Sequence, residues 1–201
     1  MARYQYEPFP YVTPPELVGD GSTGAPVIIV GAGPIGLAAA IDLATHGVAS
    51  IVVDDNNVVS VGSRAICWAK RSLEIFDRLG IGERMLAKGV TWKLGRVYRG
   101  DEEVYNFDLL PEDGHRFPAF INLQQYYVEQ FLIEKLKELE YPVLRRGHKV
   151  VGISLTKDNR ALVQIEHDQD TYNVIADYVV AADGAVSYTH LRAHETTEHL
   201  V

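Results

Sequence analysis

Two groups of residues have types and spacings suited to chemistry. The first is Gly31-Ala32-Gly33-Pro34-Ile35-Gly36, with Asp54 following 18 residues after Gly36. Glycines in this pattern suit a turn that cradles a pyrophosphate. Gly31 permits the tight turn, Gly33 lets the phosphate approach the backbone, and Gly36 lets helix and strand pack closely. The helix start offers free N–H groups and the positive end of its dipole, and Pro34 there lacks only an N–H that no intrahelical carbonyl could accept. Asp54 is placed to accept the hydroxyls of an adenosine ribose, and its charge disfavours a ribose 2′-phosphate, so NADP is a poor candidate for this particular site. The second group is His190, His194 and His199, close to Glu195 and Glu198. His190 and His194 would share a helix face and could bring imidazoles to a metal, but the order is not HExxH and no apolar stripe anchors such a helix. No metal is assigned.

The elements that must position the first group can be read around it. The apolar run Val27 to Val30 directly before the glycines reads as a strand buried on both faces. Ile35, Leu37, Ala38, Ile41 and Leu43 recur at helical spacing up to His46, and Gly47 is placed to end that helix. Ile51 to Val53 form a second buried strand, which Asp54 closes. A glycine motif alone is an ordinary turn signal; in the order strand, turn, helix, strand, acid it predicts a dinucleotide-binding βαβ unit.

Downstream, Ile66, Ala69, Leu73, Ile75, Phe76 and Leu79 make a helical apolar face, with Ser63 as N-cap and Gly80 as stop. A hairpin turning at Arg99-Gly100-Asp101 follows. Val128, Phe131, Leu132, Leu136 and Leu139 stripe another helix, which Asn122 could cap. Then come a short strand, a β-meander with turns near Asp158-Asn159 and Asp168-Gln169, and a final apolar strand from Tyr178 to Ala182. As a bare dipeptide, Asp183-Gly184 is a turn signal.

Composition excludes several partners. A formal charge of −8 with scattered Lys and Arg argues against nucleic acid. No apolar run approaches the roughly 18 residues a membrane span requires. The single Cys67 rules out an intrachain disulfide, and no signal-peptide pattern opens the chain, so a reducing cytoplasm is the expected compartment. Residues 1–25, rich in proline and aromatics and ending in "GDGSTG", read as an extended arm and flexible joint.

Taken together, "GAGPIGLAAAIDLATHG", the acidic strand end, "SRAICWAKRSLEIFDRLGI", "INLQQYYVEQFLIEKL" and "YVVAADGA" resemble the FAD-dependent aromatic hydroxylases. These are the single-component flavoprotein monooxygenases typified by para-hydroxybenzoate hydroxylase, and the 3-(3-hydroxyphenyl)propionate hydroxylase type is the nearest flavour. The resemblance covers residues 26–185 and implies an α/β fold: a glutathione-reductase-like Rossmann FAD-binding domain with a β-meander, C-terminally truncated and including part of a substrate-domain hairpin. It implies that Gly31, Gly33 and Gly36, with Pro34 and Ile35 between them, hold the FAD pyrophosphate, and that Asp54 binds the adenosine ribose. Arg64 matches an arginine reaching the phosphate and ribose region, and Arg71 one that is structural. Gln125, or its neighbour Gln124, matches a glutamine on the flavin side, and Asp183-Gly184 a motif tied to FAD and reduced nicotinamide use. The implied activity takes a hydride from NADH or NADPH and, with O2, hydroxylates a small phenolic or other aromatic substrate. No catalytic acid or base is nominated, His115 and Tyr126 being read as structural or surface groups. Another FAD-dependent oxidoreductase of the same fold, an oxidase or dehydrogenase, is the alternative. For the chain by itself the alternative is a non-catalytic dinucleotide-binding module, and the chain alone is expected to be inactive.

The family pattern continues past "DGA" with Arg-Ser, whereas this chain runs "VSYTHLRAHETTEHLV". Its first eleven residues resemble a translated sequencing-adapter end, so residues 186–201 are expected to be a non-native tail.

Overall fold

The computed structural model describes residues 4–19, 23–62, 65–110 and 112–184. A short helix α1 (Pro15–Val18) precedes strand β1 (Thr23–Val30), helix α2 (Pro34–Thr45) and strand β2 (Ser50–Asp54). These form the expected βαβ unit, with β1 and β2 parallel. Alternation along the strands explains why both faces are apolar. Val27, Ile29 and Val52 enter one core with the helices, while Ile28, Ile51 and Val53 enter a second core on the opposite face. Each such side chain stabilises the fold by about 1.5–3 kcal/mol relative to exposure.

The helical core is completed by α2, α3 (Lys70–Arg78), α4 (Gly82–Lys88) and α5 (Gln125–Leu136). Helix α2 buries Gly36, Leu37, Ala40, Ile41 and Ala44, and the small residues let it lie close to the sheet. Ile35, expected in that stripe, is instead 71% exposed, because it stands in the first turn beside the glycine loop and away from the sheet.

Strand β3 (Cys67–Ala69) pairs with β7 (Phe120–Asn122), which also pairs with β4 (Val90–Thr91). The helix expected across residues 66–79 therefore starts only at Lys70. Cys67 to Ala69 give their backbone to β7, and the Ile66 carbonyl accepts from Leu123 N–H. Ile66 and Ile75 are exposed rather than part of the apolar face. Ser63 and Arg64 lie outside the described residues. Asn122 does not cap α5: it sits in β7, its Oδ1 accepts from Trp92 Nε1, and Gln124 is the N-cap.

The hairpin β5 (Leu94–Arg99) and β6 (Glu102–Asp108) turns where expected. Strand β8 (Pro142–Arg146) pairs parallel with β2, and β9 (Lys149–Leu155), β10 (Ala161–His167) and β11 (Asp170–Ala181) form the meander. Its turns place Asn159 and Asp168 at positive φ, as short polar side chains tolerate. The expected last strand is the end of a longer one. β11 pairs with β10 over Asp170–Ala176 and with β1 over Val174–Ala181, joining meander and parallel strands into one sheet of order β8-β2-β1-β11-β10-β9. The same pairing draws Thr23 to Ala25 into β1, upstream of the expected start.

The described part of the N-terminal arm is docked rather than loose. Tyr4, Tyr6 and Phe9 pack on the helical core, Leu17 packs on the meander core, and Glu16 forms a buried ion pair with Arg145 at 3.0 Å. None of the helices among the described residues is long and apolar enough to cross a membrane. The same residues contain no His, Cys, Asp and Glu cluster able to hold a metal; the histidines of the tail lie outside them.

Candidate cofactor site

The site lies at the carboxyl ends of β1, β2 and β11, where an open parallel sheet leaves a crevice. Gly31 turns the chain with φ +101°, and a Cβ there would stand 2.5 Å from the Ala182 carbonyl oxygen. A Cβ on Gly36 would lie 1.9 Å from the Gly31 carbonyl oxygen, so close helix–strand approach forbids any side chain. At Gly33, the N-cap of α2, a Cβ would meet nothing within 4 Å. The first glycine closes the turn, the third packs it, and the middle one borders open space. Pro34 occupies the first helical turn and Ile35 stands exposed beside it.

Asp54 closes the turn from the side. Its Oδ2 accepts from Ala32 N–H at 2.6 Å, and its Oδ1 accepts from Asn56 N–H at 2.9 Å. The side chain is 14% exposed, so part of it remains open to solvent. Asp183 follows Ala182 directly, and its Cα lies 2.7 Å from where a Gly31 Cβ would be. Gly184 continues with φ +107°. Tertiary pairing of β1 with β2 and β11 thus gathers the glycine turn, Asp54 and Asp183-Gly184 around one crevice.

Gln125 stands across the loop of residues 55–62. Its Nε2 donates to Glu129 Oε1 at 2.7 Å and to Ser60 Oγ at 3.3 Å. Glu129 was not singled out in the sequence. It is 1% exposed, and it accepts from Ser60 N–H and Ser60 Oγ, each at 2.6 Å. A charged residue flanked by Val128 and Leu132 on an apolar stripe was the available signal, since a buried carboxylate must be fully hydrogen-bonded. Arg146 was also missed, though a doubled arginine ending an apolar strand is unusual for the same reason. Burial lowers its basicity, against which the carboxylates of Asp54 and Glu129 act. Arg71 is exposed and pairs with Glu74 at 3.2 Å, in keeping with a structural role. His115 is exposed and meets Lys70 Nζ, and Tyr126 packs among Tyr4, Tyr6 and Tyr127.

The donor set fits a dinucleotide: a glycine turn open at its middle position, a helix start, and an acidic side chain that stays partly exposed. Comparison with known proteins agrees. A 3-(3-hydroxy-phenyl)propionate/3-hydroxycinnamic acid hydroxylase of Mycolicibacterium gilvum is 29% identical over 167 residues, covering 83% of this chain and 29% of the relative. A probable NADH-specific resorcinol 4-hydroxylase of Rhodococcus jostii is 31% identical over 171 residues, covering 83% of this chain and 32% of the relative. The crystal structure of p-nitrophenol 4-monooxygenase PnpA from Pseudomonas putida superposes with a TM-score of 0.78 at 26% identity, covering 88% of this chain and 45% of that one. The chain spans about a third of the length of the curated relatives it matches. The family model described as FAD binding domain matches residues 24–198, and the chain belongs to that family.

Proposed function

We propose that this chain is the FAD-binding portion of an NAD(P)H-dependent flavoprotein monooxygenase that hydroxylates a phenolic or other small aromatic substrate with O2. The relatives named as hydroxylases of hydroxyphenylpropionate and resorcinol support the substrate class, and the second of these supports a nicotinamide reductant. In this reading the FAD-binding domain runs from the start of β1 at Thr23 to residue 185, the residues before Thr23 are its N-terminal arm, and residues 186–201 are a non-native tail, although the family match runs on to residue 198. Sequencing the source DNA across codon 185 tests the last point: the same tail in genomic DNA would overturn it.

Bound FAD supplies the redox and oxygen chemistry, and the protein binds and orients it. Gly31, Gly33 and Gly36, with Pro34 and Ile35, form the pyrophosphate turn. Asp54 accepts the ribose hydroxyls, Arg64 reaches the phosphate region, and Gln125 and Asp183-Gly184 border the flavin side. The observation that carries the reading is the convergence of an open Gly33, a partly exposed Asp54 and the Asp183 segment on one sheet end. Titrating the purified chain with FAD and following flavin fluorescence tests it. Binding is expected, and the double variant Gly33→Val/Asp54→Ala is expected to lose it; unchanged flavin content in the variant would overturn the site assignment.

A further inference from the structure

The Arg146 guanidinium sits beneath the candidate site and does not face the crevice as a ligand would. Its side chain is 5% exposed. Nη1 donates to the Val58 carbonyl at 2.9 Å and lies 3.8 Å from Asp54 Oδ1, while Nη2 donates to the Ala32 carbonyl at 3.3 Å. Nε is buried with no hydrogen-bond partner among the described residues. The Phe9 ring covers the group, its centroid 5.0 Å from the guanidinium carbon. Backbone pairing fixes this arrangement, because Arg146 and Asp54 are register partners across β8 and β2.

Burying a cation with an unpartnered nitrogen is unfavourable, and an apolar side chain would fill this place at lower cost. What the fork accomplishes is to join three segments: the glycine turn, the acidic end of β2 and the loop that follows. Ala32 is held at both polar groups, its N–H by Asp54 and its carbonyl by Arg146. The Ala32–Gly33 peptide is planar and trans, so drawing its carbonyl toward Arg146 directs the Gly33 N–H the opposite way, toward the open side of the turn. Of the three glycines of this turn, Gly33 is the one whose added Cβ would meet nothing within 4 Å.

We propose that Arg146 is a positioning residue for the dinucleotide, orienting the Gly33 N–H for the pyrophosphate and the Asp54 carboxylate for the adenosine ribose. This rests on the dinucleotide reading given above and adds to it a residue outside the glycine motif. Phe9, which precedes the family-matched region, belongs to the same device by keeping water from the guanidinium.

The test uses the full chain and two probes, FAD and ADP, with affinity measured by titration and the apoprotein melting temperature recorded beside it. Arg146→Met is expected to weaken both ligands about 10- to 100-fold, the scale of a lost charge-assisted hydrogen bond. Arg146→Lys should recover part of that loss, since an ammonium reaches fewer of the acceptors. In a cycle with Asp54→Ala, the double variant should bind within about twofold of the weaker single variant, because both substitutions disable one unit. Losses that multiply, or a lowered melting temperature with unchanged affinities, would overturn the proposal. Should Arg146→Met fail to fold, Phe9→Ala still decides: it keeps the charge, admits water, and is expected to weaken ADP about threefold, and no change would count against the idea. Wild-type chain that binds neither probe sinks the dinucleotide reading and this inference together. Wild-type binding with equal binding by Arg146→Met sinks this inference alone.

Discussion

Asp54 and Glu129 stand on either side of the same loop and use the same chemistry to different ends. Each carboxylate accepts a backbone N–H at 2.6 Å, from Ala32 and from Ser60 respectively. Glu129 is sealed: Ser60 Oγ and Gln125 Nε2 occupy its second oxygen, and it is 1% exposed. Asp54 ends a strand at the sheet margin and keeps 14% of its side chain exposed. Both accept three hydrogen bonds from within, Asp54 from Ala32 N–H, Asn56 N–H and Asn56 Nδ2, so exposure is what separates them: only the Asp54 side chain keeps surface that a ligand can reach. Glu129 holds the loop; Asp54 holds the turn and is still reached by solvent.

The largest perturbation should erase the contrast. Gly36→Val places a side chain against the Gly31 carbonyl, where even a Cβ would come within 1.9 Å. The turn cannot close over Asp54, and a loss above about 4 kcal/mol, read as failure of cooperative thermal unfolding, is expected. Glu129→Gln should separate the two groups. The new NH2 takes the place of Oε1, opposite Ser60 Oγ and the Gln125 amide, so both must turn from donating to accepting and a charge-assisted network becomes a neutral one, at a cost of about 2 kcal/mol by denaturant unfolding. Flavin affinity should change less than stability does.

Acid should weaken the Asp54 side in particular. His148 donates its backbone N–H to the Asp54 carbonyl at 2.9 Å, and its ring is buried against Tyr172 and His167. Burial first, then His167 and Arg145, lower its pKa from 6.5 to about 4. The folded state therefore holds this ring neutral where the unfolded state protonates it. The contribution of this ring to stability is expected to be full well above pH 6.5, to fall between there and pH 4 by up to about 1.4 kcal/mol per unit, and to level below. His148→Gln should flatten that slope in a pH series of melting curves; a slope left intact would assign it to other groups. The smallest stability effect is expected from Asp54→Asn, about 1 kcal/mol. Its NH2 must face the Ala32 or the Asn56 N–H, but the exposed side of the residue lets water take the displaced donor, and FAD affinity should fall about tenfold. A variant losing stability like Glu129→Gln while retaining flavin would reverse the comparison.

How much of this was legible depends on how far apart the partners lie. The glycine turn and its helix were readable because most of their causes are local: Gly31 needs a positive φ and Gly36 packs on the Gly31 carbonyl and Ile29, whereas the approach of Ala182 to Gly31 comes from a distant segment. The meander turns at Asn159 and Asp168 were readable for the same reason. The strand Cys67–Ala69 was not, since the apolar spacing suits a helix and only pairing with Phe120–Asn122 overrides it. The N-terminal arm read as extended and loose on composition, yet Glu16 meets Arg145 and Tyr4 OH donates to Gln130 Oε1 across well over a hundred residues. Glu129 and Arg146 escaped notice because each takes its meaning from partners in other segments.

The sequence by itself determined the βαβ unit, the glycine turn, the acid at its end and the resemblance that named the cofactor. These rest on backbone conformations and periodicities that neighbouring residues impose. Only the tertiary structure decided which carboxylate stays open to a ligand, which one locks the loop, and that a buried arginine ties the turn to the strand beside it. Burial and long-range hydrogen bonding are properties of the packed whole, and they make chemically similar side chains do different work.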